Sequence, residues 1–116
     1  MVTNKKIQVP IYNFIIDVTI FDEWKEIVKW YTDNKEDERA GFILTNKSNP
    51  TKIKFFVNVE HPSCIMHEII HVKNIIFDII CHNSNRYNDE PEAYLVQYLY
   101  EKIIEVYYKH KDNAKK

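Results

Sequence analysis

Glycine appears once in this chain of 116 residues, at Gly41, and cysteine only twice, at Cys64 and Cys81. Both cysteines fall in what reads as one helix, where a separation of about 25 Å puts them beyond disulfide reach, so reduced thiols in a cytoplasmic setting are expected. Scarce glycine beside abundant Ile, Asn, Lys and Tyr fits an AT-rich coding bias. No stretch approaches the ~18 apolar residues of a membrane span, and the opening MVTNKKIQVP lacks the apolar core and cleavage site of a signal peptide. Neither membrane association nor secretion by that route is expected. An excess of one charge is missing too: 16 basic residues face 17 acidic ones, for a formal net charge of -1. Nothing in that balance drives binding to a phosphate backbone, so nucleic acid is not an expected partner.

What is present is a foldable composition, 45% hydrophobic and 14% aromatic, at a length that suits a single domain over residues 1–116. Residues 1–10 and 111–116 read as flexible ends. From Ile11 to Phe21, alternating apolar positions with many β-branched residues predict a strand. Asp22 reads as the cap of a helix carrying Trp24, Ile27, Val28 and Tyr31 through Asp33, and the charged run Asn34 to Arg39 as a solvated loop. Gly41 to Thr45 predicts a short strand, residues 46–50 a turn, and Lys52 to Glu60 an alternating strand suited to a sheet edge beside a cleft. Pro62 opens a helix that runs to about His82. A polar loop over residues 83–88 leads to a last helix, capped near Asp89, with Ala93, Val96, Leu99, Tyr100, Ile103 and Tyr107 as its apolar stripe. From His110 onward the tail is charged and expected to fray.

The helix after Pro62 carries the chemistry. At about 100° per residue, His67, His71, Asn74, Asp78 and His82 share one face, and the rest of the surface is almost wholly apolar. Such a helix is expected inside the domain, where an unpaired polar side chain costs about 1–3 kcal/mol. One turn separates His67 from His71, so both imidazoles can point at one ion. Glu68 lies beside them, where its carboxylate can deprotonate a water and later deliver the proton to a leaving group. From the chain's own composition, a chance HExxH is expected on the order of 0.02 times, so the motif is specific. The bland reading is a pair of core histidines bonded to a carboxylate or to water.

Catalytic zinc takes three protein ligands and leaves one position open. His82 shares the stripe but stands about 16 Å along the axis from His71, so it is better read as a terminal histidine paired with Asp78. HExxHxxGxxH is excluded because position 77 is Phe. Asp89, Glu90 and Glu92 remain, three acids at the start of the next helix that also suit capping and the helix dipole. Glu90, three residues before the small Ala93, is the expected third ligand, with Glu92 and Asp89 behind it.

His67-Glu68-x-x-His71 followed by Glu90-x-x-Ala93 resembles the gluzincin pattern of thermolysin-like zinc peptidases. More closely, HEIIH with Asp89-Glu90-Pro91-Glu92-Ala93-Tyr94-Leu95 is similar to short phage-encoded proteins carrying HExxH and then D-E-x-x-A-Y-L, over about residues 52 to 104. The resemblance implies an α+β, minimal zincin-like domain: a small, mainly antiparallel sheet on an HExxH helix and a C-terminal helix, with one further N-terminal helix. It implies one Zn2+ held by His67, His71 and Glu90, Glu68 as general base, and the strand Lys52 to Glu60 pairing with an extended peptide. The resemblance supplies a site and not a substrate; a peptide or protein would suit that site, and the expected setting is the host cytoplasm or the phage virion.

Thermolysin-like enzymes have a second lobe that supplies an oxyanion-stabilising His or Tyr, and 116 residues leave no room for one. Tyr94, one turn after Glu90, is the candidate for that hydroxyl and Tyr87 the reserve. Without turnover, the same scaffold would serve as a virion or host-interaction protein with a structural metal.

Overall fold

The computed structural model describes residues 1–28, 38–83 and 87–115. Four strands, β1 (Val2–Val9), β2 (Phe14–Phe21), β3 (Gly41–Thr45) and β4 (Lys52–Asn58), form one mixed sheet in the order β1-β2-β4-β3. The β1–β2 and β3–β4 pairings are antiparallel and the central β2–β4 pairing is parallel. Two helices follow, α1 (Ser63–Ile79) and α2 (Glu90–Ala114). The result is an α+β domain. Among the described residues no helix is long and apolar enough to cross a membrane.

The period-2 pattern explains how the sheet is covered. On β2 and β4, Phe14, Ile16, Val18, Ile20, Ile53, Phe55 and Val57 turn one way and meet Ile65, Ile69 and Ile76 of α1 and Leu99 and Ile103 of α2 in one core. Phe21, Phe42 and Phe56 point to the other face, where Trp24, Ile27 and Val28 cover them. Both faces of the sheet's middle are therefore dry, and Phe42 stacks on Phe56 with ring centroids 4.6 Å apart.

Three expectations are corrected here. The N-terminal helix reduces, within the described residues, to one 3-10 turn at Trp24–Glu26, capped by Glu23 and Glu26; its expected continuation through residues 29–33 lies outside them. Trp24 and Ile27 pack as expected apolar residues, but onto the back of the sheet. The loose start of the chain is strand β1, whose exposed Asn4, Lys5 and Lys6 hide the buried Ile7 and Val9 in a short alternation. Finally, β4 is central rather than at an edge, because Phe56 buries the face taken to be exposed; β3 holds the edge instead.

α1 also differs from the expected core helix. It buries one side only, through Ile65, Glu68, Ile69, Val72, Lys73, Ile76 and Phe77, while Met66 and Ile70 are each 41% exposed. Its polar stripe, His67, His71, Asn74 and Asp78, is therefore open to solvent. The helix stops before His82. Cys81 takes a left-handed φ of 58°, its N–H bonds Asp78 O at 3.2 Å, and the His82 N–H bonds Phe77 O at 2.9 Å. That pair of bonds closes a Schellman motif, and the His82 ring packs on Phe77 at 4.5 Å, rather than pairing with Asp78.

Candidate metal centre

His67 and His71 come together as the one-turn spacing requires. Their Nε2 atoms are 3.2 Å apart and their ring centroids 4.9 Å, at 72° between planes. Two imidazoles on one tetrahedral zinc, each at about 2.05 Å, place their nitrogens about 3.3 Å apart, so the pair fits two positions of such a site. Glu68 Oε1 is 4.0 Å from His67 Nε2, and the Glu68 side chain is only 10% exposed against 70% for His67. The carboxylate thus sits inside the rim while the imidazole stands at it.

The sequence's single glycine explains how β3 comes so close to Glu68. A Cβ on Gly41 would lie 2.9 Å from Cys64 Cβ and 3.5 Å from Glu68 Cγ, so only a residue without a side chain lets the strand edge approach the helix. Between them runs a cavity of about 430 Å³, with Arg39, Gly41 and Ile43 on one wall and Glu68, His71, Asn74 and Asp78 on the other. β3 is the outermost strand, so its far backbone edge lies beside this cavity without a strand partner among the described residues.

The acids of α2 lie differently. Lys73, about 200° round α1 from His71, forms an ion pair with Glu92, so the first turn of α2 meets α1 on the side away from the histidines. Glu90 and Asp89 are exposed at the start of α2, and among the described residues no group of three His, Cys, Asp or Glu side chains converges on a metal position. Tyr94 is 66% exposed and lines another cavity, of about 410 Å³, with Val9, Tyr12 and Pro91. Tyr87 is 87% exposed in the preceding loop.

Sequence reasoning missed a second polar constellation. His110, expected in a frayed tail, is fully buried, with Thr3 Oγ 2.7 Å from Nδ1 and Asp22 Oδ1 2.8 Å from Nε2. The signal was available. Leu95, Leu99, Ile103, Val106 and His110 repeat at intervals of four and three, so extending the apolar stripe one turn would have placed the imidazole in the core. Of the expected stripe, Leu99, Ile103 and Tyr107 are buried and Val96 is half-buried, whereas Ala93 and Tyr100 are exposed.

No protein-family model, curated protein or solved structure matches this chain.

Proposed function

We propose that this chain is a zinc-dependent metallopeptidase or related hydrolase with a zincin-like fold, in which His67 and His71 hold the ion, Glu68 is the general base, and Glu90, exposed at the start of α2 and not beside the pair in this structure, is the candidate third ligand. The observation that carries the reading is the pair of imidazole nitrogens 3.2 Å apart, beside a cavity walled by Glu68 and the β3 edge. Zinc held there would supply Lewis-acid polarisation of a carbonyl and a water acidified toward neutral pH. The remaining work falls to this chain's own groups. Glu68 takes the proton as water adds to the carbonyl carbon and returns it to the departing amine. An extended peptide lies along β3, taking ladder hydrogen bonds from the strand edge that has no strand partner among the described residues.

A second reading, a binding module of a phage particle or against a host protein, keeps the scaffold without turnover. It is favoured by the absence, among the described residues, of a third ligand beside the histidine pair.

Metal analysis of untagged protein, joined to hydrolysis of a peptide library, tests both. Near-stoichiometric zinc that is lost in His71→Ala, and hydrolysis lost in Glu68→Gln with zinc retained, are expected. Absence of zinc from the wild-type protein refutes the metal centre. Zinc without hydrolysis leaves the binding module standing, and zinc retained at full affinity in Glu90→Gln removes Glu90 from the ligand set.

A further inference from the structure

Thr3 on β1, Asp22 just after β2 and His110 on α2 meet at the β1 side of the sheet, opposite β3 and independent of the metal centre. The His110 hydrogen bond, joined by the ammonium of Met1, holds the Asp22 carboxyl below its ordinary range, so Asp22 is ionised at neutral pH and can only accept. In the neutral ring, Nε2–H then donates to Asp22, and Nδ1 is left as the acceptor for the Thr3 hydroxyl proton. This is the arrangement of a hydroxyl nucleophile, a base and a group that orients the base.

The imidazole is fully buried, whereas Thr3 as a residue is half-buried. Thr3 lines a cavity of about 480 Å³ with Asn4, Lys5, Glu105 and Lys109. Among the described residues neither Lys5 nor Lys109 is ion-paired, so the cavity lining carries two cations against the one carboxylate of Glu105.

We propose that Thr3 is a nucleophile, activated by His110 as base with Asp22 as its positioning residue, and that it accepts acyl groups from small esters bearing an anionic tail. Thr3 Oγ bonds to the ester carbonyl carbon while its proton passes to His110 Nδ1. The carbon–alkoxide bond then breaks, and the same proton leaves on the alcohol. Water then adds to the acyl carbon, and the acyl group leaves as the carboxylic acid while Thr3 Oγ regains its proton. The lysines draw the anionic tail and offset the charge that develops on the carbonyl oxygen.

Incubation with 4-nitrophenyl acetate and 4-nitrophenyl succinate, read by peptide mass mapping with and without a chelator, tests this. Acylation of Thr3 is expected, insensitive to chelator and about fivefold faster for the anionic succinyl ester at low salt. Thr3→Val should lose the label and Thr3→Ser keep it. Asp22→Asn, whose folding is checked by circular dichroism, should slow it at least tenfold. Label confined to lysines, or Thr3 acylated equally fast in Asp22→Asn, overturns the proposal.

Discussion

Replacing Gly41 by Ala puts one methyl group where β3 touches α1, and the structure fixes what it meets. The new Cβ would stand 2.9 Å from Cys64 Cβ, about 1 Å inside an ordinary carbon–carbon contact. Cys64 Cβ is attached directly to the helix backbone and cannot swing aside, so β3 or α1 must shift. Overpacking of this kind costs about 1–3 kcal/mol, and Ala regains about 0.5–1 kcal/mol by restricting the unfolded chain. A net loss of about 1–2 kcal/mol remains, or roughly 4–8 °C in Tm for a domain of this length. Thermal unfolding by circular dichroism measures it. Cys64→Ala keeps the offending atom, whereas Cys64→Gly removes it, at about 1 kcal/mol of helix propensity. Gly41→Ala should therefore add to Cys64→Ala but be relieved by Cys64→Gly, with a coupling of at least about 1 kcal/mol. If Gly41→Ala raises Tm, or couples equally to both Cys64 variants, the close approach does not set the position of this edge strand.

Cys81→Gly should stabilise the protein by about 0.5–1 kcal/mol, read as a raised urea midpoint at unchanged slope, because Cys81 holds a left-handed φ of 58° that costs an L-residue energy. Glu92→Gln should cost about 1–2 kcal/mol in the same assay, since the Lys73 side chain, 8% exposed, loses its counter-charge; Lys73→Met with Glu92→Gln should recover most of it. Asp22 has a folded pKa depressed from 3.8, so its contribution is complete above that value and is lost as pH falls through the folded one. Acid titration of stability should accordingly show a shallower acid limb in Asp22→Asn than in the wild type.

What could be read from the chain depended on how local its cause was. β2, β4 and both helices announce themselves through periodicity within single segments, and the meeting of His67 with His71 needs only the pitch of α1. β1 was hidden because its middle faces water, leaving Ile7 and Val9 as the only buried pair in a polar stretch. The edge position of β3 depends on which strand takes the centre, a choice that Phe56 decides by packing against Phe42 on the back of the sheet. Within the described residues the helix expected after Asp22 is a single turn, from which Trp24 and Ile27 serve that same face. Thr3 and His110 are separated by 107 positions, and no local pattern pairs them.

That separation has a consequence for synthesis. β1 leaves the ribosome ahead of the other described elements, and α2, which covers it, follows all of them. At about 5–20 residues per second, Ile7 and Val9 wait roughly 5–20 s for Leu99, Ile103 and Val106 to arrive. During that interval β1 is an uncovered border strand able to pair with another nascent chain. The exposed Lys5 and Lys6 stand where charge repels such a neighbour.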